Sequence, residues 1–343
     1  MPKLLDLVNS IGPQRLIGIR KVHKGMLSFG RSYMLMHSMS ALRRIGFFDV
    51  LNERGVLRLD EFAKEKDLNP AALKALCNYL YSLRILNRTT KGFVLAKKGR
   101  SLLDYCLGTF DFIYAYAPIF ERLEQLLYAK NGDAVALRRG EYVARATTEV
   151  SRWLPLPIVK TIVKRRGFKR VLDLGCGSGE FLIELCRENV LEGVGIDISA
   201  DAVKYAQSNI ASSGINGKIS VLQGDIFNLG GLIGRIGSFD VATGMFVLHE
   251  FLSEGRDRVV QLLLEFRGHF PHTPLIISEV CKFFPSSLRK RRSALAEHHL
   301  FHLLSDQGLA TLTGWRKIFR DAGYHIQEEI YFDFAGQAYF LIC

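Results

Sequence analysis

Through its C-terminal two thirds the chain alternates short apolar runs with stretches whose apolar residues recur at helical spacing. Residues 171–174, 193–197, 218–223, the stretch from 239 onward and 274–280 predict five buried strands, the last bounded by Pro274 and a later Pro-Ser-Ser turn. SADAVKYAQSNIASSG (199–214) predicts a helix capped by Ser199. GWRKIFRDAGY (314–324) predicts an amphipathic helix closed by Gly323. IQEEIYFDF and QAYFLIC read as a final hairpin around Gly336. Strands alternating with helices predict a doubly wound, Rossmann-like α/β sheet. Ligands of such sheets lie beyond the carboxyl ends of the strands. Asp173, Asp197, Asp225 and His249 all fall at such ends.

The N-terminal part has a different pattern. SYMLMHSMSALRRIGFFDVL (32–51) predicts one apolar-faced helix, and residues 59–86 hold two more, the second starting with Pro at its first position after Asn69. NRTTKGFVLAKKGRSLL (87–103) reads as a β-wing returning through Thr89 to Gly92. Helix, helix-turn-helix and wing describe a winged-helix domain, which by itself suggests DNA binding. Residues 109–166 read as mostly helical. The expected organisation is a winged-helix domain over 1–105, a helical linker over 106–168 and an α/β domain over 169–343.

At 343 residues and 38.7 kDa the chain has room for two cores. Charged residues make up 23% and hydrophobic ones 48%, a globular mix rather than a disordered one. Apolar runs fall short of the roughly 18 residues that suggest a membrane span. Asp6, Asn9 and Gln14 interrupt what would be a signal-peptide centre. The six cysteines show no C-x-x-C pairing and read as thiols in a reducing compartment, so the expected location is the cytoplasm. A net charge of +12 gathers at 164–170 and 289–292. Without a recognisable RNA-binding module or long basic helix, these clusters read as solvated faces, and neither nucleic acid nor membrane is the expected partner.

The stretch VLDLGCGSGEFL (171–182) carries the most specific signal. Asp173 precedes glycines 175, 177 and 179, and a helix follows whose first N–H groups point back at the loop. The dinucleotide fingerprint G-x-G-x-x-G would need its third glycine at Glu180. The G-x-G-x-G spacing with an upstream acid instead resembles motif I of class I S-adenosylmethionine (SAM)-dependent methyltransferases. An acid at 173 suits the amino group of a methionine moiety better than a pyrophosphate. Asp197 stands at about the 20-residue spacing expected of an acid on ribose hydroxyls, with Ile198 beside it. The resemblance further implies that Asp225 faces the adenine amino group and Ile226 packs on the ring. The expected cofactor set is therefore Asp173, Gly175, Gly177, Gly179, Asp197, Ile198, Asp225 and Ile226.

Joined to a winged-helix unit, this domain resembles plant-type and bacterial small-molecule O-methyltransferases, in which the N-terminal unit dimerises and following helices cover the substrate pocket. The resemblance implies a homodimer acting on a small molecule. His249, in VLHEF, stands where that family carries its His-Asp-Trp motif and catalytic base; Glu250 and Phe251 replace the Asp and Trp. EHHLFHLLSDQG (297–308) adds His298 and His302 at i, i+4 and His299 and His302 at i, i+3. This histidine group more closely resembles the bacterial branch that C-methylates 2-oxo acids, where two histidines hold a substrate-chelating metal. By that resemblance His249 and His302 are the expected ligands, with Glu250 as a third, for a divalent or iron ion. Three functions stand on the sequence. One is metal-assisted C-methylation of a 2-oxo acid, and another is metal-free O-methylation of a phenol or enol with His249 as base. The third is a SAM-binding winged-helix regulator that contacts DNA.

Overall fold

The structure is a computed structural model and describes residues 10–128, 137–188, 192–215 and 217–343. The start of the interrupted apolar stretch (1–9) and part of the expected linker (129–136) lie outside the described residues. Two compact units divide after Tyr114.

In the first unit, α1 (Pro13–Arg44) is followed by α2 (Phe47–Arg54). The single helix expected over 32–51 is thus two. Gly46 adopts φ 73°, in the left-handed region, and its N–H closes back on the Arg43 carbonyl at 3.0 Å. That geometry ends one helix and redirects the chain into the next. Next come α3 (Leu59–Glu65) and α4 (Pro70–Ser82). The Asn69 carboxamide accepts from the N–H groups of Ala71 and Ala72 at 3.0 and 3.1 Å, which caps α4. The hairpin of β1 (Leu86–Thr89) and β2 (Gly92–Leu95) is antiparallel, and Leu57 bridges to Phe93 on its free edge. Met39, Leu42, Phe47, Leu51, Phe62, Leu73 and Leu80 fill the core. An Arg43–Asp111 ion pair of 3.2 Å is buried beside them. Helix α5 (Lys97–Glu121) runs unbroken past residue 105 and through the division between the units.

The second unit continues with α6 (Leu123–Tyr128), α7 (Gly140–Ser151) and α8 (Pro155–Arg166). Its sheet comprises β3 (Arg170–Leu174), β4 (Glu192–Asp197), β5 (Ile219–Gln223), β6 (Val241–Met245), β7 (Leu275–Val280), β8 (Ile326–Phe332) and β9 (Gln337–Ile342). The strand order is β5-β4-β3-β6-β7-β9-β8; the first five are parallel, and the β8–β9 hairpin joins antiparallel to β7. The chain builds outward from β3 to β5, then returns to place β6 on the other side of β3. This reversal opens a crevice at the β3/β6 carboxyl ends. The unit's longer remaining helices are α9 (Glu180–Glu188), α10 (Ala200–Ser212), α11 (Arg256–His269), α12 (Leu295–Leu304) and α13 (Leu312–Asp321), with single helical turns at Ile233–Ile236 and Pro285–Leu288.

The strands are apolar on both faces because helices cover both. Leu172, Ala242, Ile277 and Phe340 pack with Phe266, Trp315 and Phe319, while Val171, Val241, Ile276 and Leu341 pack with Val159 and Ile162. Trp315 is fully buried and donates its indole N–H to the Val280 carbonyl at 2.9 Å, tying α13 to the end of β7. Helix α13 ends as its sequence predicts. Gly323 (φ 76°) donates to Arg320 and Tyr324 to Phe319, the paired bonds of a Schellman closure. No described helix is long and apolar enough to cross a membrane.

Candidate active site

The loop after β3 is built from glycines for two different reasons. Gly175, Gly177 and Gly179 all have positive φ, at 72°, 51° and 71°. A Cβ on Gly175 would lie 2.7 Å from Val247 Cγ2, and one on Gly179 would lie 3.2 Å from the Ala206 methyl. Those two let the loop press against its neighbours. A Cβ on Gly177 would meet nothing within 4 Å, so this residue opens onto free space. Ser178 fixes the loop's far side, sharing a 2.8 Å hydroxyl bond with Thr148 of α7 and accepting through its carbonyl from the Asn209 side chain at 3.0 Å.

Three acids stand toward the carboxyl ends of β3, β4 and β5. Asp173 is buried on β3, directly opposite Thr243 of β6, whose hydroxyl donates to it at 2.7 Å. Burial pushes its pKa up to about 7, with Thr243 opposing the rise and Asp197 adding to it. The Asp197 carboxylate accepts from the N–H groups of Gly177 and Ser199, both at 2.9 Å. Ser199 caps α10 through its hydroxyl. Asp225 is exposed and accepts from the Phe227 N–H at 2.9 Å, with Ile226 buried behind it and Ile198 exposed by 70%. A buried carboxylate and an open glycine are compatible with the amine and close backbone approach expected of SAM, while Ile226, expected on the ring, is buried and its neighbour in the cofactor set, Ile198, is exposed.

Beyond β6, Phe246 has φ 57°, and its N–H donates to the Ser278 carbonyl at 2.8 Å. This sharp turn starts the 3₁₀ helix Leu248–Glu254, which carries His249 and Glu250. Glu279, fully buried on β7, governs that helix. One carboxylate oxygen accepts from the N–H groups of Leu248 (2.7 Å) and His249 (3.3 Å), and the other lies 2.9 Å from His249 Nδ1. A carboxylate there requires a proton on Nδ1, which directs the Nε2 lone pair away from Glu279. Burial alone would depress the His249 pKa; the Glu279 charge and hydrogen bond override it, and the net shift is upward.

His302 of α12 faces His249 with ring centroids 5.2 Å apart. Its Nδ1 donates to the His298 carbonyl at 2.7 Å, so again Nε2 is the uncommitted nitrogen. The His298 ring lies tilted against the His302 ring, with centroids 4.1 Å apart. Burial and the neighbouring imidazoles pull His302 well below the ordinary histidine range and His298 down to about 3. The i, i+4 pair therefore shares a face as expected, but His299 does not join it. Its Nε2 accepts from the Phe283 N–H at 2.8 Å. The helix turn carries His299 toward the β7 exit, where an unpaired backbone donor would otherwise be buried.

Glu250 is likewise directed elsewhere. It forms a two-pronged pair with Arg138 at 3.3 Å and accepts from the Gln307 side chain, while Gln307 accepts from Tyr116 at 3.3 Å. Arg138 and His249 hold its pKa down against burial, which raises it. The expected three-ligand set of His249, Glu250 and His302 is thus not assembled. Among the described residues no group of three or more His, Cys, Asp or Glu side chains is placed to hold a metal. Two imidazoles are brought together; the carboxylate next in sequence projects to the guanidinium instead.

Four members of this cluster were not among the expected residues: Glu279, Arg138, Gln307 and Tyr116. Glu279 had a readable signal, an acid inside the apolar run PLIISEV. The other three sit in no motif. Glu279→Gln should lower the His249 titration midpoint, because burial is then opposed only by the charge of Glu250. Ring-selective NMR titration measures it; an unmoved midpoint would show that the carboxylate does not set the imidazole's charge.

The chain is similar to known methyltransferases in sequence and in fold. A family model described as "Methyltransferase domain" matches residues 167–300. Indolepyruvate C-methyltransferase of Streptomyces griseus is 25% identical over 294 residues, covering 83% of this chain and 84% of that protein. The 2-ketoarginine methyltransferase of Streptomyces arginensis is also 25% identical, over 308 residues, covering 86% and 87%. The fold matches the crystal structure of human N-acetylserotonin methyltransferase in complex with SAM, with a TM-score of 0.69, 16% identity, and coverage of 94% of this chain and 97% of that one. The acid-flanked glycine loop at the sheet's reversal point and these likenesses lead to one conclusion: the chain carries a methyltransferase domain on a Rossmann-like sheet and is a SAM-dependent methyltransferase.

Proposed function

We propose that this enzyme methylates the carbon beside the oxo group of a small 2-oxo acid, assisted by a divalent or iron ion held by Nε2 of His249 and of His302. The observation that carries the reading is the facing imidazole pair with both Nδ1 atoms engaged, one by Glu279 and one by a backbone carbonyl. Histidines that bind metals are oriented in this way by partners on their other nitrogen. The low proton affinity of His302 suits a metal ligand, which must be neutral. The names of the two Streptomyces relatives, on indolepyruvate and 2-ketoarginine, support the substrate class.

Such an ion, when bound, would act as a Lewis acid on the substrate's oxo oxygen. The chain's own groups do the rest. Glu279 keeps the Nδ1 proton in place and holds the His249 ring in one orientation. Arg138 offers a guanidinium for which a substrate carboxylate competes with Glu250. The burial of both rings limits water beside them, and alignment of the acceptor carbon with the transferable methyl would supply much of the rate.

A second reading keeps its own support. The His249–Glu279 pair is that of a general base with an orienting carboxylate, and Nε2 would take the proton of a phenol or enol during O-methylation without a metal. A DNA-contacting role has less. Helix α4, the counterpart of a recognition helix, carries one lysine and no arginine, which leaves little to hold phosphates.

Metal analysis with turnover separates the first two readings. His302→Ala should lose bound metal and activity on 2-oxo acids together, and chelator treatment of the unmutated enzyme should do the same until metal is restored. Undiminished activity after stripping would leave His249 as a simple base. Loss of no activity in His249→Ala would remove both.

For the cofactor we infer that Asp173 pairs with the SAM ammonium. The pair needs an ionised carboxylate, and in the free protein Asp173 holds its proton up to about pH 7. Binding the cation therefore releases that proton, so SAM affinity should rise about fivefold from pH 6 to pH 7, below the range of about 7.7 to 8 in which an α-amino group itself loses its proton. Asp173→Asn should weaken binding by about 10- to 100-fold and flatten that pH dependence. Calorimetric titration at both pH values tests this; an equal slope in the variant would assign the proton to another group.

We also read the protein as a homodimer. Ile17, Ile19, Val22, Leu27, Phe29 and Tyr33 stand exposed on α1, by 50% to 81%, more apolar surface than a monomer usually leaves to water. Light scattering should report twice the chain mass, and a monomer at micromolar concentration would refute the dimer.

A further inference from the structure

Two segments carry the facing histidines, and one dipeptide touches both. Helix α12 ends three residues before Gln307, with Asp306 in the left-handed region at φ 55°. That turn brings the Gln307 N–H to the carbonyl of His302 at 3.0 Å, the bond that closes the helix. The next N–H, that of Gly308, donates to the carbonyl of His249 at 3.1 Å. A side chain at 308 is excluded, because a Cβ would lie 2.2 Å from Leu252 Cβ and 2.6 Å from its carbonyl carbon. The backbone at 307–308 thus links the two histidine segments directly.

The Gln307 side chain adds a second set of links. It is buried, with 3% of its surface exposed. Its Nε2 donates to a Glu250 carboxylate oxygen. Its Oε1 accepts from the Ser305 hydroxyl at 3.0 Å and from the Tyr116 hydroxyl at 3.3 Å. Glu250 in turn holds Arg138. A carboxamide is the side chain this position needs, since it donates in one direction and accepts in the other. A carboxylate would oppose Glu250, and an apolar group would remove one of the hydrogen bonds that Glu250 and Tyr116 make.

We propose that Gln307 is the positioning residue of this active site, setting the spacing of the His249 and His302 imidazoles and turning Glu250 onto Arg138. The proposal rests on the reading that this pair faces the substrate. It assigns Gln307 no contact with the reacting atoms. Its action runs through the residues it holds.

The test compares full-length wild type with Gln307→Met, similar in length but unable to donate or accept like an amide, and with Gln307→Glu, which keeps the shape and loses the donor. Long-range proton–nitrogen NMR correlations of the histidine rings need neither substrate nor metal. Both variants should shift the ring signals of His249 and His302 while leaving His299 unmoved. With a 2-oxo acid as substrate, kcat should fall by about a hundredfold while the SAM Kd stays within about twofold. Combining Gln307→Glu with Glu250→Gln exchanges donor and acceptor across the same contact and should return the ring signals toward wild type. Unmoved ring signals in a folded single variant would overturn the proposal, and so would moved signals with kcat within about twofold of wild type. If Gln307→Met does not fold, Gln307→Glu and the exchanged pair decide the same question. If wild type turns over no 2-oxo acid, the substrate reading fails while the ring spectra still judge the positioning.

Discussion

A carboxylate buried in the middle of a β-sheet is costly unless every oxygen is engaged, and Glu279 meets that demand by organising the chain around it. Its two oxygens take two backbone N–H groups and one imidazole, all from the segment that follows β6. The segment has few other ways to sit. Its entry is forced through a left-handed Phe246, and its N–H groups would be orphaned without Glu279. The buried charge of one strand therefore dictates the conformation of the loop after its neighbour, and the orientation of His249 follows.

The sheet reversal supplies the second half of the site. Asp173 and Thr243 stand side by side across β3 and β6, so the acid beneath the glycine loop is held by the same strand that leads to His249. Both buried carboxylates, Asp173 and Glu279, lie near the carboxyl ends of parallel strands, where the fold gathers its ligands. They differ in what balances them. Glu279 has an imidazole and two amides; Asp173 has one hydroxyl and keeps its proton to near neutrality. The second is balanced by a single hydroxyl, whereas the first has both its oxygens engaged by donors from one short segment.

Much of this was readable from residue pattern. Apolar runs bounded by glycine and proline placed all five parallel strands to within a few residues, because a strand buried on both faces leaves little freedom of composition. Gly323 and Asn69 announced helix ends through chemistry that acts over one turn. The break at Gly46 was hidden inside a helical apolar pattern, since the pattern continues on both sides of it. The histidine helix showed its i, i+4 face correctly, yet His299 and Glu250 were turned away by partners distant in sequence, the Phe283 N–H and Arg138. Arg138 and Gln307 could not be foreseen for the same reason. A neutral amide in a short loop and an arginine outside any motif acquire meaning only when the fold brings them to the same carboxylate.

One close contact has a mechanical meaning. Gly175 lacks a side chain because Val247 occupies the space its Cβ would take. Val247 directly precedes the 3₁₀ turn that bears His249. The glycine loop and the turn that bears His249 therefore lie against each other with no room for a side chain between them, and any larger residue at 175 would have to move Val247, and with it the start of the histidine turn.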